Sequence, residues 1–370
     1  MKRIAALLCL MLLCATRALA SEALTVAAKG AVLIDAASGR VLFAQNADEE
    51  LPMASTTKVM TTLLALESAS LDAQVTAGKN AAGVTGTSLY LSEGETLSME
   101  HMLYGLMLRS GNDAAVAVAE HVAGSVPAFA ERMNARAAAL RADAHFVNPH
   151  GLDADGHRAS ALGLARIFRE AMQNPVFRTI TGTQRKVIPW VGNEYSRVLE
   201  NKNKLLSTYE GATGGKTGYT GKAGRCLVFS AERDGLEIIG SVLNCPTWFD
   251  TAAAMLDYGF EHFRMERAFE AGAAVGRVPV VNGSEESVEA VAEEALRGAV
   301  RISAPVDTVV SLPPSVDAPV RAGDVLGTAA LQSDGGVIAQ CNLVAADAVE
   351  PLNLREAFRR LLRSWLLRGR

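Results

Sequence analysis

The chain of 370 residues is 49% hydrophobic and 21% charged, an ordinary globular composition with enough apolar material for two or three domains. Its formal net charge is -4, and the body is more acidic still once Lys2, Arg3 and Arg17 of the first twenty residues are set aside. A mildly acidic body excludes nucleic acid as the partner.

Met1 to Ala20 has the layout of a secretory signal. Lys2 and Arg3 form the positive region, Ile4 to Cys14 the apolar region, and Ala18-Leu19-Ala20 a small-residue cleavage site. The apolar run is short for a membrane span, so an exported protein is expected. Of the 5 cysteines, Cys9 and Cys14 fall in this segment. Cys226, Cys245 and Cys341 remain, an odd number without metal-like spacing. Cys226 and Cys245 could lie on neighbouring strands, which leaves a disulfide and two buried thiols both open.

Ala31–Asp35 and Arg40–Ala44 read as two strands around a turn at Ala37-Ser38-Gly39. Ser55-Thr56-Thr57-Lys58 then heads an apolar run through Leu66, so a helix is expected to start near Ser55. Lys58 falls one turn along on the same face. That pairs an amine with a hydroxyl, the minimum for a serine nucleophile with a lysine base. A helix cap beside a solvated lysine is the competing reading at this point.

Ala81 to Glu95 is polar and loop-like. Met99–Leu108 reads as a helix interrupted by Arg109-Ser110-Gly111-Asn112, and Asp113–Val122 as the next one. Further helix is expected over Val126–Arg141 and Leu162–Met172. From Gly214 strands return: Gly215-Lys216-Thr217-Gly218-Tyr219, then Arg225–Ala231, then Leu236–Leu243 after a hairpin at Asp234-Gly235. Three strands joined so tightly must be antiparallel, and Thr247–Phe263 closes the domain as a helix. The fold class expected over residues 21–263 is α+β: helices packed on an antiparallel sheet with strands from both ends of the sequence.

Residues 264–350 are rich in short valine runs with Gly and Pro punctuation, as in a small all-β domain. The stretch 351–370 reads as an amphipathic helix. Leu354, Phe358, Leu361, Leu362 and Trp365 share one face, and Arg355, Arg359, Arg360 and Arg363 crowd the remainder. A helix this basic suits the headgroup region of a membrane better than its interior. The alternative is docking on the protein's own domains.

Ser55/Lys58, Ser110-Gly111-Asn112 and Lys216-Thr217-Gly218 follow one another in the order Ser-x-x-Lys, Ser-x-Asn, Lys-Thr-Gly. The sequence thereby resembles the penicillin-binding proteins and class A β-lactamases. Gly111 between Ser110 and Asn112 is similar to the D-alanyl-D-alanine carboxypeptidases of low molecular mass. So are Asn148-Pro149-His150-Gly151-Leu152-Asp153, Asn201 to Leu206, the trailing β-domain and the terminal amphipathic helix. One departure is Gly163, where relatives usually carry aspartate.

The resemblance implies a β-lactamase/transpeptidase-like catalytic domain. It implies a serine carboxypeptidase that removes the terminal D-alanine from peptidoglycan stem peptides through an acyl-enzyme on Ser55, with β-lactams as covalent inhibitors and no cofactor. Lys58 would be the base, neutral through burial and a second cation, Lys216. Ser110 would relay a proton and Asn112 orient Lys58. Lys216 and Thr217 would bind the substrate carboxylate, Gly218 keep the strand edge clear, and the N–H groups of Ser55 and Tyr219 form the oxyanion hole.

Residue types also bear on the alternatives. No Gly-x-Ser-x-Gly elbow supports a Ser-His-Asp triad. His145, His150, Asp153, Asp155 and His157 lack a recognised ligand spacing, so a structural loop is expected there and no metal. A β-lactamase needs a deacylating glutamate, and the nearest match, Glu170, falls at a helix end where a surface position is expected. A non-catalytic penicillin-binding sensor or wall-docking module would have damaged motifs, and all three are intact.

Overall fold

The computed structural model describes residues 24–353, 357 and 358. The signal segment over 1–20 and most of the helix expected over 351–370 lie outside the described residues. Pro351 to Asn353, at the start of that segment, are not helical. Pro351 bridges Gly283, and the Leu352 N–H donates to the Asn282 carbonyl at 2.7 Å, so backbone pairing holds them to the β-rich region. Among the described residues no helix is long and apolar enough to cross a membrane.

Strands β1 (Gly30–Asp35) and β2 (Val41–Gln45) are joined by a turn in which Gly39 takes φ 75°, a conformation open to glycine without strain. A helical layer follows: α1 (Lys58–Ser68), α2 (Met99–Tyr104), α3 (Asn112–Ala123), α4 (Val126–Ala139), α5 (Ala161–Ala171) and α6 (Pro175–Gly182). Ser98, Ser125 and Ser160 cap α2, α4 and α5 through their hydroxyls, and Asn174 caps α6. The chain returns as β3 (Ala212–Thr220), β4 (Gly224–Arg233) and β5 (Leu236–Leu243), and α7 (Trp248–His262) closes the unit. α6 has no counterpart in the sequence reading.

These strands form one antiparallel sheet in the order β2-β1-β5-β4-β3. Its residues alternate between two cores, as strand geometry requires. Val32, Ile34 and Val228 join α1 and α5, whereas Leu33, Leu227 and Phe229 join α7. The same alternation settles the cysteines. Cys226 lies in the first core and Cys245 in the second, so the thiols face away from each other and both are free.

From Phe263 to Ala345 every element is a strand: β6 (Phe263–Phe269), β7 (Ala274–Val281), β8 (Ser287–Ala292), β9 (Leu296–Arg301), β10 (Val306–Ser311), β11 (Val316–Asp317), β12 (Val325–Ser333) and β13 (Gly336–Ala345). β6 pairs with β9, and the others form a sheet in the order β10-β12-β13-β8-β7-β11 around their own core. The buried Asp35 carboxylate accepts the Ala299 N–H at 3.0 Å while Arg40 donates to the Ala299 carbonyl at 2.8 Å. One residue of β9 is thus held through both its N–H and its carbonyl by β1 and the turn that follows it.

Candidate active site

Ser55 sits in a tight 3-10 turn, Ala54–Thr57, and α1 begins only at Lys58. Unlike the three capping serines, Ser55 caps nothing. Its Oγ stands 2.9 Å from Lys58 Nζ and 3.3 Å from the His150 carbonyl oxygen. Two glycines let other segments reach this turn. A Cβ on Gly151 would lie 1.9 Å from the Ala54 oxygen, and one on Gly218 would lie 2.8 Å from the Ser55 nitrogen. Ala54 itself has φ 49°, a left-handed conformation costing roughly 1–2 kcal/mol outside glycine, and it is held there by its neighbours.

Lys58 is fully buried. Its Nζ reaches three oxygens: Ser55 Oγ, Asn112 Oδ1 at 2.8 Å and the His150 carbonyl at 2.6 Å. Burial holds its pKa well below the amine range, helped by the charges of Lys216 and Lys202 and opposed by Asp113.

After α2 the chain opens into a π-turn, Gly105–Arg109, and Ser110 turns left-handed at φ 68°. That break sets Ser110 against Lys216 and Asn112 against Lys58 from one short stretch. The Asn112 N–H donates to Thr87 O and its Nδ2 to Thr85 O, both at 2.7 Å. The amide orientation is thereby fixed, with Oδ1 turned to Lys58.

β3 is the free edge of the sheet. Lys216 is buried in it, and its Nζ donates to Ser110 Oγ at 3.1 Å and to the Thr217 carbonyl at 2.8 Å. Burial, then the charge of Lys202, lowers its pKa to about 7. Gly218 meets a demand beyond an uncluttered edge: its missing side chain makes room for the Ser55 turn. Ser55, Asn112, Lys202, Tyr219 and Thr220 line a cleft of ≈ 420 Å³. A larger cavity of ≈ 510 Å³, among Arg178, Glu237 and Arg297 beside the β-rich domain, contains none of the motif residues.

The opposite wall of the cleft, Gly86 to Tyr90, depends on residues the motifs do not reveal. The buried Asp113 carboxylate accepts the N–H groups of Leu89 at 2.9 Å and Leu91 at 3.0 Å and the Ser88 hydroxyl at 2.6 Å. Arg197 donates to the Leu89 carbonyl at 2.8 Å and forms a buried two-pronged pair with Glu95 at 2.6 and 2.9 Å. An aspartate at a helix start reads as a charge on the helix dipole. No local signal ties either residue to this loop. His150 and His157 are held neutral, chiefly by burial, at about 3 and about 4. Glu170 pairs with Arg136 at 2.6 Å and lies outside the cleft lining.

The chain matches the D-alanyl-D-alanine carboxypeptidase family model over residues 17–247 and the penicillin-binding protein 5 C-terminal domain over 263–351. It is 31% identical over 350 residues to D-alanyl-D-alanine carboxypeptidase DacF of Bacillus subtilis, covering 91% of this chain and 90% of that one. It is 32% identical over 351 residues to DacC of Escherichia coli, covering 89% and 86%. The solved structure of penicillin binding protein 5 from Haemophilus influenzae aligns with a TM-score of 0.77 at 29% identity, over 88% of this chain and 98% of that one. With a matching family model across its catalytic unit and relatives matched along nearly their whole length, this chain belongs to the D-alanyl-D-alanine carboxypeptidase family.

Proposed function

We propose that Ser55 is the acylated nucleophile of this carboxypeptidase and Lys58 its base. The observation that carries the reading is the set of three oxygens around Lys58 Nζ. A neutral amine has two N–H donors and one lone pair. Asn112 Oδ1 and the His150 carbonyl can only accept, so they take the two donors and leave the lone pair facing Ser55 Oγ–H. Once the Ser55 proton moves across, the ammonium donates to all three oxygens. Both protonation states are satisfied by one fixed geometry, which suits a proton that must travel both ways.

The steps then follow. Ser55 Oγ attacks the carbonyl between the two terminal D-alanines, its proton passes to Lys58, and the carbonyl oxygen becomes an oxyanion. The Ser55 N–H, close to Gly218 of β3, would receive that charge, with the Tyr219 N–H as its partner. The C–N bond breaks, and the leaving D-alanine amine takes a proton from the Ser110 hydroxyl, which Lys216 holds at 3.1 Å; the proton on Lys58 replaces it, so Lys58 is neutral again for the hydrolytic water. Water hydrolyses the acyl-enzyme. Lys216 and Thr217 suit the terminal carboxylate as charge and hydroxyl donor. The substrate would lie extended along the free edge of β3.

The reading extends to an exported enzyme at the extracytoplasmic face of the cell membrane, held there by an amphipathic helix in the segment that follows Asn353. Its support is the sequence pattern at the two ends of the chain. Binding of the full-length protein, but not of one ending at residue 350, to vesicles containing anionic lipid tests the anchor.

A fluorescent penicillin should label the protein, and Ser55→Ala should abolish labelling. Release of D-alanine from a pentapeptide should depend on the same residue. Labelling without release would favour a penicillin-binding sensor, and rapid turnover of the penicillin a β-lactamase.

A further inference from the structure

Inside the 3-10 turn, beneath Ser55, a chain of hydrogen bonds runs from a backbone amide to a backbone carbonyl. The Val147 N–H donates to His157 Nδ1 at 3.0 Å, so Nδ1 is the unprotonated ring nitrogen. His157 Nε2 stands 2.8 Å from Thr57 Oγ1, and Thr57 Oγ1 donates its single proton to the Ala54 carbonyl at 2.8 Å. The hydroxyl proton is spent, so the bond between imidazole and threonine must be donated by Nε2–H. The two ends of the chain independently demand the same tautomer. Thr57 is fully buried and His157 nearly so, and in such surroundings chained bonds reinforce one another.

The consequence lies in the acceptor. The Ala54 carbonyl and the Ser55 N–H are opposite ends of one planar trans peptide unit. Holding the carbonyl inward turns the Ser55 N–H outward, toward β3, where a Gly218 Cβ would lie 2.8 Å from it. Ala54 is left-handed at φ 49°, so this plane would relax elsewhere without a restraint. Gly151 presses on the same carbonyl oxygen.

We propose that His157 and Thr57 are positioning residues for acylation: the imidazole N–H fixes the direction of the Thr57 hydroxyl, which fixes the Ala54–Ser55 peptide plane and aims the Ser55 N–H at the developing oxyanion. The proposal rests on the reading of Ser55 as the acylated residue. Neither side chain touches the substrate, and no step of the reaction passes through them. Their contribution is to the acylation rate once a penicillin is bound, and not to its binding.

The test uses the full-length protein and a fluorescent penicillin, with saturation kinetics to separate the binding constant from the acylation rate. Thr57→Val keeps the shape of the side chain and removes the hydroxyl. Its acylation rate should fall about 10- to 100-fold, a part of what losing an oxyanion donor costs, with binding unchanged. Thr57→Ser should restore most of the rate. Rates are taken per folded protein by circular dichroism, and His157→Phe serves as the second variant should Thr57→Val not fold. In either variant a wild-type acylation rate overturns the proposal. Nitrogen-15 NMR of the His157 ring should show the proton on Nε2, and a proton on Nδ1 alone would overturn it as well. Absence of labelling in the wild type would instead strike the reading of Ser55, whatever the NMR shows.

Discussion

Lys58 Nζ and the Asn112 amide oxygen stand 2.8 Å apart, and the neutrality of that acceptor decides what the lysine can do. A carboxylate in the same place would favour the ammonium and hold the proton where the reaction needs a lone pair. Asn112→Asp should therefore raise the pKa of Lys58 and carry the acidic limb of the acylation profile to higher pH. The new carboxylate would also meet the Thr85 carbonyl, which now accepts from Asn112 Nδ2. At neutral pH the acylation rate should drop on the order of 100-fold, since each displaced pH unit reduces the neutral fraction tenfold. The measurement is penicillin acylation across pH for both proteins. An acidic limb that stays in place would remove Lys58 from the role of base.

Lys202 sets a second pH dependence. It lines the cleft and lowers the pKa of both Lys216 and Lys58 through its charge. Lys216, at about 7, is charged below that pH and neutral above it. Binding of a peptide with a free terminal carboxylate should weaken as pH rises through this value. Lys202→Met removes a cation, so both pKa values rise and both limbs of the kcat/KM profile should move to higher pH together. Peptide hydrolysis across pH gives the answer; a shift of only one limb would show that Lys202 reaches only one of the two amines.

The three motifs were legible because each is a run of neighbouring residues whose chemistry is local. Their meeting could be argued from order alone, and Lys216 was foreseen as a cation acting on Lys58, though burial acts more strongly. A second demand on Gly218 could not be read from the sequence, since the Ser55 turn that crowds it comes from the other end of the catalytic unit. Asp113 and Arg197 stayed hidden for the same cause: their partners in the cleft wall lie 24 and 108 residues away in sequence. The antiparallel sheet could be seen in the Asp234-Gly235 hairpin. The short hairpin of Arg185–Ile188 with Arg197–Glu200 could not, because four-residue strands carry too little alternation to stand out.

Arg197 and Glu95 form a buried ion pair that also holds the Leu89 carbonyl. Removing one partner strands the other charge in the interior, which typically costs about 3–5 kcal/mol. Arg197→Met should lower stability by about that amount in urea unfolding, and the cleft wall should loosen so that KM for a peptide rises. Glu95→Gln added to Arg197→Met removes the stranded charge and should return much of the stability. The KM should stay high, because the hydrogen bond to Leu89 is still missing. Recovery of KM in the double variant would show that the wall is held by the Asp113 contacts alone.

His150 and His157 make the enzyme sensitive to acid. Both fold with pKa values below the ordinary 6.5, at about 3 and about 4, chiefly because burial penalises the imidazolium. In the unfolded chain each regains its ordinary value. As pH falls below 6.5 the unfolded state takes up protons first, so stability is lost down to about 4 for His157 and about 3 for His150. Between pH 7 and 4.5 the loss should be on the order of 2–3 kcal/mol for each histidine. Urea unfolding at the two pH values measures it, and carboxylate contributions cancel when the wild type is compared with His157→Gln. The variant should start less stable at pH 7, with the Thr57 bond weakened, and lose less on acidification. Equal losses in the two proteins would mean that His157 is already charged in the folded state. The Nε2–H would still reach Thr57, but the Val147 N–H would face a second proton on Nδ1, and that contact could not survive.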